Sequence, residues 1–377
     1  MTQNYPSRYP GKLDEILAER HGFSQLESDN LSIPLFRQAF INTQNDSLLD
    51  PHETTSPNPV KPTYREQFLE PCREEYDATV EAYEQIYSHP SDGQRYELQH
   101  CREHAYFAMD SVSGDVKVMT DACRQRWCPM CAAQKASFAR ESTQAWLESL
   151  AAPRFLTLTL RHCEDDLKPQ IEYLQDCFRR LRQRAYWKKR VTGGVWFLQV
   201  HRSESDGCWH PHFHILLEGE YLEQGELSDL WDLVSYGSPI IDIRRIHNPE
   251  SSAMYVARYS ARPARFASMP LDDRVEMIEA LKGKRLCGTF GTAKVITLTP
   301  PKIESSADWK TIGYYDTLVK DAKTNKDAYL ILQAWIHEHP ITDEQFEAYT
   351  GHEVNPYIPV IERNGPVQYL LDFYNTS

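Results

Sequence analysis

The chain has 377 residues, of which 41% are hydrophobic and 25% charged, and a formal net charge of −13. That is the composition of an ordinary globular protein with room for two or three domains. The polar stretch from Met1 to Glu19 and the lack of any apolar run near ~18 residues give no sign of a secretory leader or a spanning helix, so a cytoplasmic protein is expected.

The acid excess lies in the flanks. Residues 1–100 hold 8 Lys+Arg against 17 Asp+Glu and residues 301–377 hold 6 against 12, whereas residues 101–300 hold 27 against 25. A near-neutral middle with bunched cations is compatible with a phosphate-binding surface, so the net charge does not exclude a nucleic-acid partner. Residues 1–95 read as an acidic accessory region. Within it, 45–62 is rich in Asn, Ser, Thr and Pro and reads as a linker. Tyr76, Val80, Tyr83 and Tyr87 then recur at helical spacing.

Nine cysteines without a leader suggest thiols or metal ligands rather than a disulfide framework. Four of them, Cys101, Cys123, Cys128 and Cys131, are concentrated in 96–140. Closely spaced cysteines grip one ion and more distant ones complete a tetrahedron, so a structural Zn²⁺ is expected, with His104 the alternative to Cys101. The segment between, Ala105 to Thr120, has strand-forming runs around Ser113-Gly114, a hairpin pattern that makes the module ribbon-like.

A helix is expected from Ser137 to Leu150, and Arg154 to Leu160 alternates as a strand, with Thr157 and Thr159 ascribed to β-propensity alone. Ile171, Leu174, Phe178 and Leu181 mark another helix. It runs into Arg179, Arg180, Arg182, Arg184, Lys188, Lys189 and Arg190, interleaved with Tyr186 and Trp187 and without an acid, which points to contact with a DNA backbone.

Val195 to His201 and Trp209 to Leu217 then form two strands around a turn at Ser203 to Gly207. In the second, His210, His212 and His214 fall on one face while Phe213, Ile215 and Leu217 face the core. Three imidazoles on the face opposite the core suit a metal or catalytic role. Gln199 and His201 share a face of the first strand.

After a helix near Leu222 to Val234 and a strand over Pro239 to Ile246, Asn248-Pro249-Glu250 starts a helix expected to end near Arg262, before Pro263. Tyr255 and Tyr259, four apart, share one face of it and Arg262 extends that face, a spacing that by itself suits core packing. The glycine-rich basic stretch from Gly283 to Lys294 lacks the Lys-Ser/Thr of a phosphate-binding loop, so no helicase motor is recognised. Two helices close the chain, around Ala328 to Trp335 and after a Thr342/Gln345 capping box.

In register, these features resemble the HUH endonuclease superfamily, and within it the rolling-circle plasmid initiators. The histidine strand resembles its motif II, Arg154 to Leu160 its motif I, and Cys-Arg-Gln-Arg-Trp-Cys-Pro-Met-Cys the cysteine segment preceding the nuclease in Gram-positive-type initiators. Tyr-Val-Ala-Arg-Tyr-x-x-Arg resembles motif III, with Arg258 and Arg262 in place of lysines. The resemblance implies that His212 and His214 hold a Mg²⁺ or Mn²⁺ ion and that Tyr259 is the nucleophile. It places Tyr255 where two-tyrosine members carry a second one. Members often have a glutamate as third ligand where this chain has Gln199; His201 and His210 stand behind it as alternatives.

The fold implied is α+β, an antiparallel central sheet flanked by helices, ferredoxin/RRM-like, with a small zinc module and helical flanks. The division expected is 1–95, 96–140 for the module, 150–300 for the nuclease and 301–377 for a helical C-terminal region. The function implied is strand-specific DNA nicking and rejoining at an origin, with a host helicase as partner. A two-tyrosine transposase, a histidine-triad nucleotide hydrolase (His-x-His-x-His fits that pattern too) and a non-enzymatic zinc-containing DNA-binding regulator remain as alternatives.

Overall fold

The computed structural model describes residues 63–161, 166–203, 207–257, 266–299 and 309–351. The expected linker at 45–62 lies outside them, as do Arg258, Tyr259 and Arg262.

The described chain enters through α1 (Tyr64–Leu69), α2 (Arg73–Ile86) and α3 (Gly93–Gln99). α2 buries Tyr76 and Tyr83, two of the residues that marked it in the sequence. The expected hairpin follows as β1 (Ala105–Asp110) and β2 (Val116–Thr120), paired antiparallel. α4 (Pro129–Glu148) begins earlier than the expected Ser137, because Pro129 suits a first helical turn and Cys128 stands at its N-cap.

The longest alternating stretches build a second sheet. β3 (Arg154–Thr159) is followed by α5 (Leu167–Arg182), α6 (Ala185–Arg190), β4 (Val191–Arg202) and β5 (Trp209–Gly219). Then come α7 (Gln224–Ser235), β6 (Ile241–Arg245), α8 (Pro249–Ala257), α9 (Leu271–Ala280) and β7 (Cys287–Gly291). These five strands pair in the order β6-β3-β5-β4-β7, each pairing antiparallel, with β5 in the centre. The architecture is therefore α+β, with antiparallel sheets flanked by helices.

The two faces of this sheet differ. On one, Leu156, Leu158, Leu198, Phe213, Ile215 and Leu217 join Ile171, Leu174, Phe178 and Leu181 of α5 in a single core. Phe213 lies 5.1 Å from Phe178 and 5.3 Å from Trp196 between ring centroids. Each such buried side chain contributes about 1.5–3 kcal/mol. On the other face, Val195, Phe197 and Leu216 pack with Ala139, Trp146 and Leu147 of α4 and Ala253 and Val256 of α8. The histidines stand on this same face.

The hairpin does not stand alone. β8 (Trp309–Tyr314) pairs with β1 to give a three-stranded sheet, β2-β1-β8, which packs on α10 (Tyr315–Asp321), α11 (Lys326–His337) and α12 (Asp343–Thr350). The sheet thus ties residues 105–120 to 309–351 across the division expected at 301. A two-stranded hairpin cannot cover its own apolar face, and here Phe107 and Met109 find that cover from distant helices. The capping box read at Thr342 and Gln345 is present on α12. No described helix is long and apolar enough to cross a membrane.

The glycine-rich stretch becomes edge strand β7. Gly291 adopts φ 59°, and a Cβ there would collide with the Thr192 carbonyl oxygen. Gly283 also has positive φ, 71°, but its surroundings are open. Gly291→Ala is therefore expected to destabilise the fold by about 2–3 kcal/mol and Gly283→Ala by about 1 kcal/mol. Urea denaturation of the two variants checks the order.

Candidate active site

The register of β5 with its neighbours assembles the histidine face. Gln199 and His201 of β4 stand opposite His212 and His210, and Thr157 of β3 stands opposite His214. Directly opposed residues in antiparallel strands share a face, so all six side chains project from the same side. His212 and His214 are buried, at 8% and 3% exposure.

Their hydrogen bonds fix which nitrogens point inward. His212 Nδ1 lies 3.2 Å from the His210 carbonyl oxygen, which can only accept, so Nδ1 carries the proton and Nε2 of the neutral ring is a bare lone pair. Burial, followed by the charges of His214 and His201, holds His212 well below the usual imidazole value, which keeps it neutral. His214 Nδ1 is anchored 3.2 Å from Thr157 Oγ1. The two Nε2 atoms stand 3.1 Å apart, and Gln199 Oε1 lies 2.9 Å from His212 Nε2 and 2.6 Å from His214 Nε2. Lone pairs converging so closely suit a cation, and two imidazoles with an amide oxygen are a usable donor set for a divalent ion.

His201 and His210 continue the row. Their rings stack 5.3 Å apart at 19°, and His201 is edge-on to His212 at 5.4 Å. Gln199 is thus the third candidate whose oxygen faces both inward nitrogens. Thr157, ascribed to β-propensity from sequence, is a second-layer anchor for His214; its role depends on strand register, which local pattern does not carry.

Tyr255 reaches this cluster from α8. Asn248 caps that helix, accepting from the Ser251 N–H at 2.9 Å. Ala253 and Val256 seat it against α4. The Tyr255 hydroxyl then stands 3.5 Å from His214 Nε2, with its ring 5.2 Å from that of His214 and 5.9 Å from that of Phe155. Arg258, Tyr259 and Arg262, beyond it in the chain, lie outside the described residues.

A second cluster forms at the start of α4. Closure of the β1/β2 hairpin brings Cys101, just before it, to Cys123, just after it, and the start of α4 supplies its N-cap Cys128 and Cys131 of its first turn. The sulfurs of all four lie within 4.8 Å of one another. Individual separations are 3.6 Å for Cys101–Cys131, 3.7 Å for Cys128–Cys101 and 3.8 Å for Cys123–Cys131. Metal–sulfur bonds of ~2.3 Å in a tetrahedron give edges of about 3.8 Å, whereas a disulfide requires ~2.05 Å. The group could hold one metal ion.

The local backbone supports it. Arg102 and Arg124, each directly after a cysteine, adopt φ 59° and 55°, and the Cys123 N–H points at Cys101 Sγ at 3.4 Å. Hydrogen bonds from Cys101, Cys123 and Cys128 hold the Cys131 thiol well below its usual value, with the buried Arg102 adding to the effect. Arg102 Nη1 lies 3.9 Å from Cys131 Sγ, and its other arm binds Gln134. His104, the alternative ligand, instead binds Asp121 at 2.9 Å and is not part of the group.

The basic run is placed apart from the histidines. α5 packs on the opposite face of the sheet, and part of the run has local partners. Arg179 pairs with Asp176, Arg180 Nε lies 3.1 Å from the same carboxylate, and Arg182 stacks on Phe178 at 4.8 Å. Arg190 stacks on Tyr186 at 4.1 Å, while Arg184, Lys188 and Lys189 are exposed.

A family model described as "Replication protein" matches residues 116–339, more than half of the chain. The chain belongs to the replication protein family. A "Protein rep" of Bacillus amyloliquefaciens is 28% identical over 258 residues, 57% of this chain and 76% of its own length. A "Protein rep" of a Bacillus species is 31% identical over 163 residues, 39% of this chain and 53% of its own. One from Staphylococcus aureus is 24% identical over 196 residues, 47% of this chain and 86% of its own. No solved structure matches. The family match takes in the histidine strand, Tyr255 and three of the four clustered cysteines of this replication protein, and begins after Cys101.

Metal analysis of the purified protein under reducing conditions should find one tightly held ion that Cys131→Ala lacks. Equal metal content in the two proteins would show that the cysteines do not bind it.

Proposed function

We propose that this replication protein initiates rolling-circle plasmid replication, cutting one DNA strand at an origin and later rejoining it through a 5′-phosphotyrosyl link. The observation that carries the reading is the convergence of His212 Nε2, His214 Nε2 and Gln199 Oε1, with the Tyr255 hydroxyl 3.5 Å from His214. Neither a histidine-triad hydrolase nor a non-enzymatic regulator has a use for both features, and the family favours an initiator over a transposase.

Gln199, His212 and His214 would hold a Mg²⁺ or Mn²⁺ ion, which when bound supplies positive charge to a scissile phosphate and its transition state. The chain supplies the nucleophile. A phenol has a pKa near ~10, so it needs nearby positive charge to react as phenolate. Tyr259, flanked by Arg258 and Arg262 in the segment resembling motif III, makes the first attack in this reading. Its oxygen bonds to phosphorus, the bond from phosphorus to the 3′-oxygen breaks, and that oxygen leaves as a 3′-hydroxyl after taking a proton. The phosphodiester is conserved as a phosphotyrosine, so a later 3′-hydroxyl can reverse the step. Tyr255 accepts a second strand while the first remains attached.

The other parts follow from this reading. Cys101, Cys123, Cys128 and Cys131 hold a structural Zn²⁺ that fixes the start of α4. Residues 150–300 are the nuclease unit, with 96–140 the zinc module and 1–95 and 301–377 accessory. Arg179, Arg180, Arg182, Arg184, Lys188, Lys189 and Arg190 supply duplex affinity, the exposed ones most directly, and a host helicase opens the duplex.

The test is to incubate the protein with Mn²⁺ and single-stranded oligonucleotides spanning its plasmid origin and to look for a covalent protein–DNA band. His212→Ala and His214→Ala should abolish the band while keeping duplex binding. Thr157→Val should weaken Mn²⁺ binding by about tenfold, as loss of a second-layer partner commonly does. Tyr259→Phe should lose the first adduct, and Tyr255→Phe should form it but fail in strand closure. An adduct mapped by mass spectrometry to Tyr255 alone, or to neither tyrosine, would refute the assigned order.

A further inference from the structure

An arginine, which cannot itself bind a metal ion, stands beside the four clustered sulfurs. Arg102, directly after Cys101, is fully buried, at 0% exposure. Its backbone lies in the left-handed region, at φ 59°, and its N–H donates to the Asp121 carbonyl at 3.2 Å across the base of the β1/β2 hairpin. The side chain crosses to α4, where one arm donates to Gln134 Oε1 and Nη1 lies 3.9 Å from Cys131 Sγ. Cys131 and Gln134 are three residues apart, so they share a face of α4 and meet the one guanidinium together. The guanidinium carbon also lies 4.8 Å from the centre of the Phe68 ring of α1. An amide oxygen and a ring face orient this cation without cancelling its charge.

The chemistry of a four-cysteine site gives that charge a use. A coordinating thiol gives up its proton, so four thiolates around a divalent ion carry a formal net charge of about −2. Cys101 and Cys128 are 0% exposed and Cys131 2%, which leaves such an excess of negative charge out of reach of water. Buried net charge is costly unless hydrogen bonds and an opposite charge stand beside it. The Cys123 N–H, 3.4 Å from Cys101 Sγ, supplies a hydrogen bond, and Arg102 supplies the opposite charge.

We propose that Arg102 is the counter-charge of the cysteine site, a positioning residue outside the ligands that sets how tightly the four sulfurs hold their ion. The proposal rests on the reading of the cluster as a metal site and is independent of the nuclease reading. The negative excess exists only while an ion gathers four thiolates, so Arg102 favours the loaded form over the metal-free one. Groups that stand behind metal ligands commonly contribute in this way, by orienting a ligand and tuning its charge. Gln134 fixes the direction of the guanidinium, and the Asp121 carbonyl fixes the backbone that carries it. Arg102 thereby ties the bound ion to α4, to the base of the hairpin and to α1.

The experiment titrates Co²⁺, under reducing conditions, into the metal-free full chain and into its Arg102→Met and Arg102→Lys variants. It follows the sulfur-to-cobalt charge-transfer absorption, which the histidines do not give. Arg102→Met is expected to weaken Co²⁺ binding by about 10- to 100-fold while reaching the same final absorption per ion, since all four sulfurs remain. Arg102→Lys, which keeps the charge, should bind the ion more tightly than Arg102→Met. Urea denaturation of the metal-free proteins should find Arg102→Met at least as stable as the unsubstituted chain, because a buried charge has been replaced by an apolar side chain. Equal Co²⁺ affinity in Arg102→Met and the unsubstituted chain overturns the proposal, as does a lysine variant no better than the methionine one. Loss of metal-free stability in Arg102→Met, up to failure to fold, assigns the arginine to the fold alone and overturns it too. If the unsubstituted chain gives no charge-transfer absorption, the metal reading of the cysteines falls, and this inference with it.

Discussion

The antiparallel register between β4 and β5 is the constraint on which the candidate site depends. Placing Gln199 opposite His212 and His201 opposite His210 puts four polar side chains on one face and Leu198, Val200 and Phe213 on the other. A slip of one residue would bury the histidines in the α5 core and expose the phenylalanine. The register is held from both sides. The apolar face packs on α5 and α7, and β3 and β7 pair along the outer edges of β5 and β4. The converging histidines and Gln199 are therefore set on one face by the burial of their strand neighbours.

Burial also sets the chemistry of His212. A charged imidazole is disfavoured in a site this dry, and the other histidines in the row add to that preference. His212 is thereby kept neutral, and in both rings the anchor on Nδ1 aims Nε2 inward. Thr157 and the His210 carbonyl supply those anchors, so orientation comes from β3 and from the backbone of β5 itself.

The cysteine cluster solves a different problem. Cys101, Cys128 and Cys131 sit in the main core beside Leu98, Trp127 and Met130, and four sulfurs grouped about one point could tie the loops around Cys101 and Cys123 to it. Because Cys128 caps α4 and Cys131 lies in its first turn, the same cluster stands at the start of the helix against which α8 is seated. Tyr255 is carried on α8, so the cysteines and the histidine face are joined through two packed helices.

Much of this was legible in the sequence. Alternation fixed the faces of the histidine strand, since side-chain period in a strand is a local property, and cysteine spacing marked a group that could hold a metal ion for the same reason. Asn248 and Thr342 announced their helices through capping, which needs only neighbours three or so residues away. Tertiary structure decided what depends on residues far apart in sequence. It brought the Gln199 oxygen to face both imidazoles and set the Thr157 hydroxyl beside His214 Nδ1. It tied the 105–120 hairpin to β8, and it set the basic run on the face opposite the histidines. Each of these is a question of which strands pair and which faces meet, and hydrophobic burial answers it only when the whole chain is assembled.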